Sequence, residues 1–147
     1  MTPSSASPLR NEILAAARFL IALLFLIFGW EKFMNFSGTL QYMEQVGAPL
    51  PDLATLVAIV MELFVGIAIV LGLYTRPLAL LLALYTFGTA VIGHHYWTMT
   101  GMARFEGEIN FYKNISIIGG LLALYVSGPG QYSIDAMREA ARSKTRQ

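Results

Sequence analysis

Six ionisable side chains stand within or at the ends of long apolar stretches of this chain, and these are where chemistry would be done. They are Arg18, Lys32, Glu62, His94, His95 and Lys113, with the amide of Asn114 beside the last. An ionisable group in hydrocarbon costs roughly 2.5–3.5 kcal/mol on insertion scales, and it usually faces a bundle interior with a partner. Arg18 and Lys32 are 14 residues apart, four helical turns, so both point to one side together with Ala15, Ala22 and Gly29. Glu62 shares a stripe with Ala58 and Gly66, small residues that let helices approach closely. Counting helical rise from the outer boundary puts Glu62 about 13 Å deep, Lys113 about 6 Å and Arg18 about 22 Å. Neither of those cations is level with the carboxylate, although long stems bridge part of such gaps. Two readings of Glu62 stand: a structural ion pair that fixes helix register, or a carboxylate that hydrogen-bonds a ligand or relays a proton.

Neighbouring residues of a regular helix point about 100° apart, so His94 and His95 cannot both hold one metal ion or haem. The chain has only these 2 histidines, so neither a metal site nor a haem b is expected of it alone. Each reads as a core polar contact or as a hydrogen-bonding partner of a quinone carbonyl. Trp30, Tyr96, Trp97 and Tyr112 read as interfacial anchors. Lys113 shares a face with Ser116, Ile117 and Gly120, and either snorkels to the outer surface or reaches Glu62. The candidate ligand-binding residues are therefore Arg18, Lys32, Glu62, His94, His95, Lys113 and Asn114. All but Arg18 outline a polar pocket opening to the outer leaflet. No Walker loop, Rossmann glycine pattern, HExxH or nucleophile elbow is present, so hydrolase and nucleotide chemistry have no support.

The elements that would position these residues follow from composition. The chain has 147 residues, 56% hydrophobic and 13% charged, against about 25% charged in soluble domains, and its mean hydropathy is +0.58. A net charge of +1 without a basic stripe gives no reason to expect nucleic acid. The absence of cysteine removes disulfides, thiol relays, iron–sulfur ligation and covalent haem. Any redox chemistry must come from a bound small molecule or a partner.

Four apolar runs are long enough to cross hydrocarbon as helices, at about residues 12–34, 52–74, 77–99 and 110–127. The expected fold is an all-α polytopic membrane protein: a four-helix transmembrane bundle over residues 11–130. A disordered cytoplasmic leader is expected at residues 1–10 and a basic cytoplasmic tail at 131–147. Glu12 and Arg18, in and beside the first run, argue against a cleaved signal peptide. Arg10, Arg76, Arg138, Arg142, Lys144 and Arg146 fall on one side of the membrane; Lys32, Arg104 and Lys113 fall on the other. That imbalance places both termini in the cytoplasm of a bacterial inner membrane. Ser37 to Gly47 should form a short amphipathic helix at the outer interface. Thr75 should cap the third span, with Pro77 near its first position, and Ser133 should cap an amphipathic tail helix.

Taken in order, several segments resemble the DoxX family of small four-helix membrane proteins. They are Arg18, Gly29-Trp30-Glu31-Lys32-Phe33, Gln41-Tyr42-Met43 with Gly47 and Pro49, and Glu62-Leu63. Leu71-Gly72-Leu73-Tyr74-Thr75-Arg76, Lys113-Asn114 with Gly119-Gly120, and Gly128-Pro129-Gly130 leading into Ser133-Ile134-Asp135 continue the set. The resemblance covers roughly Arg18 to Asp135, and the motif residues it marks are Arg18, Gly29, Lys32, Glu62 and Arg76. It implies an accessory subunit of a quinone-linked redox or oxidant-defence system, with a quinone between the helices. Its partners would be the bilayer and other membrane redox subunits or further copies of the chain. A non-catalytic assembly subunit and a small-solute carrier are the alternatives. Whether the chain is itself an enzyme, and which residues would be catalytic, is left open by the sequence.

Overall fold

The computed structural model describes residues 8–146, so residues 1–7 of the expected leader lie outside the described residues. Helix α1 (Pro8–Met34) forms the first span, and Asn35 ends it by leaving helical geometry and starting a second helix. The Asn35 side-chain oxygen accepts the Gly38 amide at 3.1 Å, a side-chain cap on α2 (Phe36–Gln45). This is the amphipathic helix expected between the first two spans. It stops at Gly47, whose φ of 71° is available to glycine at no steric cost.

The second span, Pro51–Leu71, consists of α3 (Pro51–Ile59), a π-helical turn (Val60–Val65) and α4 (Gly66–Leu71). Helix α5 (Thr75–Gly93), a short 3₁₀ turn (Tyr96–Thr98), α6 (Gly101–Ser127) and α7 (Ile134–Thr145) complete the chain. Four of these segments are long and apolar enough to cross a membrane, and no strand occurs among the described residues. The protein is an all-α polytopic membrane protein. Helix α6 starts about two turns earlier than the apolar run does, because Gly101 to Ile109 carries charge but no proline, and the one interior glycine, Gly107, is tolerated. Hydropathy marks where a helix stops being greasy, not where it stops being a helix.

The spans pair off. Helix α1 lies along the second span and α5 lies along α6, whereas α1 and α6 touch little. Small side chains make the close approaches: Ala22, Ala79 and Ala83 are buried beside Phe25, Ile69, Leu82, Leu121 and Leu124. Without a hydrophobic drive between helices in lipid, such small-residue contacts carry the packing. Large apolar residues such as Leu20, Leu84 and Val126 point outward, as a lipid-facing surface requires.

At the end of the bundle where α1 begins, the segment after α6 ties the pairs together. Arg18, only 2% exposed, donates to the Tyr132 carbonyl. Asn11 accepts the Gln131 amide at 3.1 Å, and the Asp135 amide donates to Gly72 at 2.9 Å. The Asp135 carboxylate accepts the amides of Tyr74 at 2.8 Å and Thr75 at 2.9 Å. Thr75 is therefore not the cap of α5: the tail supplies it, and Pro77 sits at the third helical position rather than the first. A cap brought in from 60 residues away leaves no local trace in sequence. Ser133 does cap α7, accepting the Ala136 amide at 3.2 Å. Ser133→Ala should cost about 1 kcal/mol of tail-helix stability, read as faster proteolysis beyond Gly130 with the spans unchanged.

Candidate functional site

The pairing of spans leaves a cleft between them at the far end, away from the Arg18 contacts. Its cavity measures about 940 Å³. Leu24, Phe25 and Phe28 of α1, Leu53, Val57 and Ala58 of α3, and Ile92 of α5 supply apolar walls, while α2 lies across it through Thr39, Tyr42 and Met43.

The polar floor is built around Glu62. A π turn carries an extra residue per turn and recurs at functional sites, and this one, Val60–Val65, holds the carboxylate. Gly29 makes the approach of α1 possible. A Cβ there would lie 2.6 Å from the Leu63 backbone nitrogen and 2.9 Å from the Glu62 carbonyl carbon. One turn on, Lys32 donates to Glu62 Oε2 at 2.7 Å, and from α5 the Tyr85 hydroxyl donates to Oε1 at 2.6 Å. Among the described residues this is the one side-chain hydrogen bond running directly from the α1–α4 half to the α5–α6 half. The carboxylate is buried, its side chain 10% exposed against 22% for Lys32. Both its oxygens carry strong donors, the condition under which a buried ion pair is tolerated.

Around the floor stand further polar groups. Asn114 donates to Thr89 Oγ1 at 3.3 Å, and Lys113 donates to Asn110 Oδ1 at 2.6 Å. His94 lines the cavity. Partial burial raises the Tyr42 phenol above its ordinary value, so it faces the cavity as a neutral hydroxyl.

Of the seven residues singled out in the sequence, Lys32, Glu62, His94, Lys113 and Asn114 line this one cavity. Two do not. Arg18 belongs to the opposite end, on Tyr132. His95 turns back on its own helix end, its Nδ1 2.7 Å from the Ile92 carbonyl. The histidines also depart from the regular helix assumed for them: α5 ends at Gly93, and both adopt non-helical backbone. Glu62 is not short of a cation, because Lys32 sits one turn above the Gly29 contact and reaches down to it. Lys113 neither pairs with Glu62 nor leaves the cavity wall. Tyr85 carries only a faint signal in the sequence: a tyrosine inside an uncharged span needs a partner for its hydroxyl. The π turn has no signal in the sequence beyond the mid-span carboxylate itself. Trp97 and Tyr96 stack edge-on against Phe111 at 5.8 and 5.6 Å between centroids, forming an aromatic cluster beside the cleft.

The buried Lys–Glu pair, held by a glycine contact to a mid-membrane turn, coincides with the motif positions that suggested a family, and direct comparison decides it. The DoxX family profile matches residues 13–95. The chain belongs to the DoxX family. It is 55% identical over 126 residues to inner membrane protein YphA of Escherichia coli, covering 86% of this chain and 90% of that protein. It is 40% identical over 124 residues to inner membrane protein YqjF of the same organism, covering 82% and 88%. No solved structure matches the chain. Within this DoxX chain the matched segment carries most of α1, α2, the whole second span and α5, and so Lys32, Glu62 and Tyr85. Lys113, Asn110 and Asn114 lie beyond it, on α6.

Proposed function

We propose that this DoxX protein holds a quinone-class, lipid-soluble molecule in the cleft between its helix pairs. It serves there as an accessory subunit of a quinone-linked redox or oxidant-defence system. The inner membrane is its location, by likeness to YphA and YqjF, and the Lys and Arg distribution orients both termini to the cytoplasm. One observation carries the reading: an apolar cavity of about 940 Å³ ends on a small set of polar groups. That is the form of a site for an amphiphilic ring with a hydrocarbon tail. Lys32, Lys113 and Asn114 have N–H groups suited to carbonyl oxygens, Tyr85 spends its one O–H on holding Glu62 in place, and Glu62 is a carboxylate placed to take or return a proton. The quinone supplies the electron chemistry. The chain supplies position, a dry surround and hydrogen bonds.

Organic extraction and mass spectrometry of the detergent-solubilised protein test this. A stoichiometric quinone is expected with the native chain, and its loss with Glu62→Gln and with Lys32→Ala. Tyr85→Phe, which deletes one hydroxyl and keeps the packing, should retain a folded particle and bind the quinone more weakly. A folded, quinone-free native particle that carries a reproducible protein partner would overturn the proposal and make the chain an assembly subunit.

A further inference from the structure

The charges around the cleft are not evenly cancelled. Glu62 and Lys32 neutralise each other, and both Glu62 oxygens are occupied. Lys113 is different. Half-buried on the cavity wall, it has the neutral Asn110 amide as its partner and no carboxylate within 4.0 Å among the described residues. An ammonium group has three donors, so most of its hydrogen-bonding capacity faces the cavity unused. Glu31 is the other acidic residue lining the cavity, but it is exposed at the mouth. Water weakens the field of an exposed charge far more than that of one set in an apolar wall. Inside the cleft the field of Lys113 therefore prevails, with His94 and the Asn114 amide beside it.

We infer that the cleft selects an amphiphile whose ring or headgroup carries negative charge, and that Lys113 is the specificity-determining residue. For a quinone-class guest this means an acidic, ionised ring in preference to a neutral one of the same shape. The inference rests on the cleft being a ligand site, as proposed above, and adds the charge of the ligand to it. A charge-assisted hydrogen bond is shorter and roughly twice as strong as a neutral one, and the surrounding apolar wall leaves the anion few competing donors.

A matched pair of probes tests it: an alkyl hydroxynaphthoquinone, ionised at neutral pH, and its methyl ether, which cannot ionise. Binding to the detergent-solubilised full chain is read by equilibrium dialysis. The anion should bind about tenfold more tightly than the ether. Lys113→Gln should bring the two affinities together by weakening the anion alone, and Lys113→Arg should preserve the preference. Equal affinities in the native chain, or a preference that survives Lys113→Gln, would overturn the inference while leaving the quinone reading intact. Binding of neither probe would remove the quinone reading itself, and this inference with it.

Discussion

Lys32→Met should lower the unfolding free energy of the solubilised protein by about 3 kcal/mol, while Lys32→Met combined with Glu62→Leu should recover most of that loss. The reasoning lies in what each change leaves behind. Removing the ammonium strands a carboxylate whose side chain is 10% exposed, and the Tyr85 hydroxyl at 2.6 Å cannot stand in for a charge. The carboxylate then takes a proton or draws in water, and either response is costly in an apolar surround. Replacing both partners removes the charge altogether, and well-packed apolar replacements of buried pairs are often neutral. Titration with a denaturing detergent, run as a double-mutant cycle, measures the coupling. A double-mutant loss equal to the sum of the two single-mutant losses would show that the pair does not act as a unit. The stable double mutant would also be the proper control for ligand binding, since it separates a missing site from a misfolded chain.

The second large effect concerns a residue with no side chain. Gly29→Ala should destabilise the bundle by about 2–3 kcal/mol and pull Lys32 out of reach of Glu62. The added methyl would meet main-chain atoms of Glu62 and Leu63 at 2.9 and 2.6 Å. Backbone inside a helix cannot step aside as the tip of a flexible side chain can. Helix α1 must then lift from the π turn, and the contact one turn further on is lost with it. Gly119→Ala is the contrasting change. Its Cβ would enter open space on α6, so the gain in helix propensity should leave the protein unchanged or slightly more stable. Thermal unfolding of the two variants beside the native chain checks both. Equal behaviour would mean that α1 and the second span are not held at this contact.

Much of this architecture is legible in the sequence because it depends on sums over local windows. Four apolar runs against 13% charge dictate four spans whatever their neighbours do. The amphipathic stretch that became α2, and Ser133 before the tail helix, are likewise local signals. What escaped depends on pairing. The sequence says that Glu62 needs a partner; it does not say that Gly29 lets α1 slide close enough for Lys32 to be that partner. Arg18 and Lys32 share a face of α1, as their spacing requires, yet they serve opposite ends of the molecule, because 14 residues of helix span about 21 Å. Asp135 looks like an ordinary residue at a helix start, and only the return of the tail to the bundle makes it the cap of α5. For His94 and His95 the apolar run implies a continuing helix, whereas the helix ends one residue before them, at Gly93.

The π turn at Val60–Val65 also fixes the phase of everything after it. A regular helix advances about 100° per residue, and the π turn absorbs one additional residue by widening, so every later residue of the span lies about 100° from where its number alone would put it. Ala58 and Ile69 are both buried, at 1% and 0% exposure, although they lie on either side of that turn. Shortening the turn by a single residue would remove the widening and leave a regular helix, with α3 and α4 facing as they do and Glu62 without the turn that holds it. A one-residue deletion there should thus spare the packing of the span and strike the setting of the carboxylate alone. In that one segment, the number of residues matters as much as their identity.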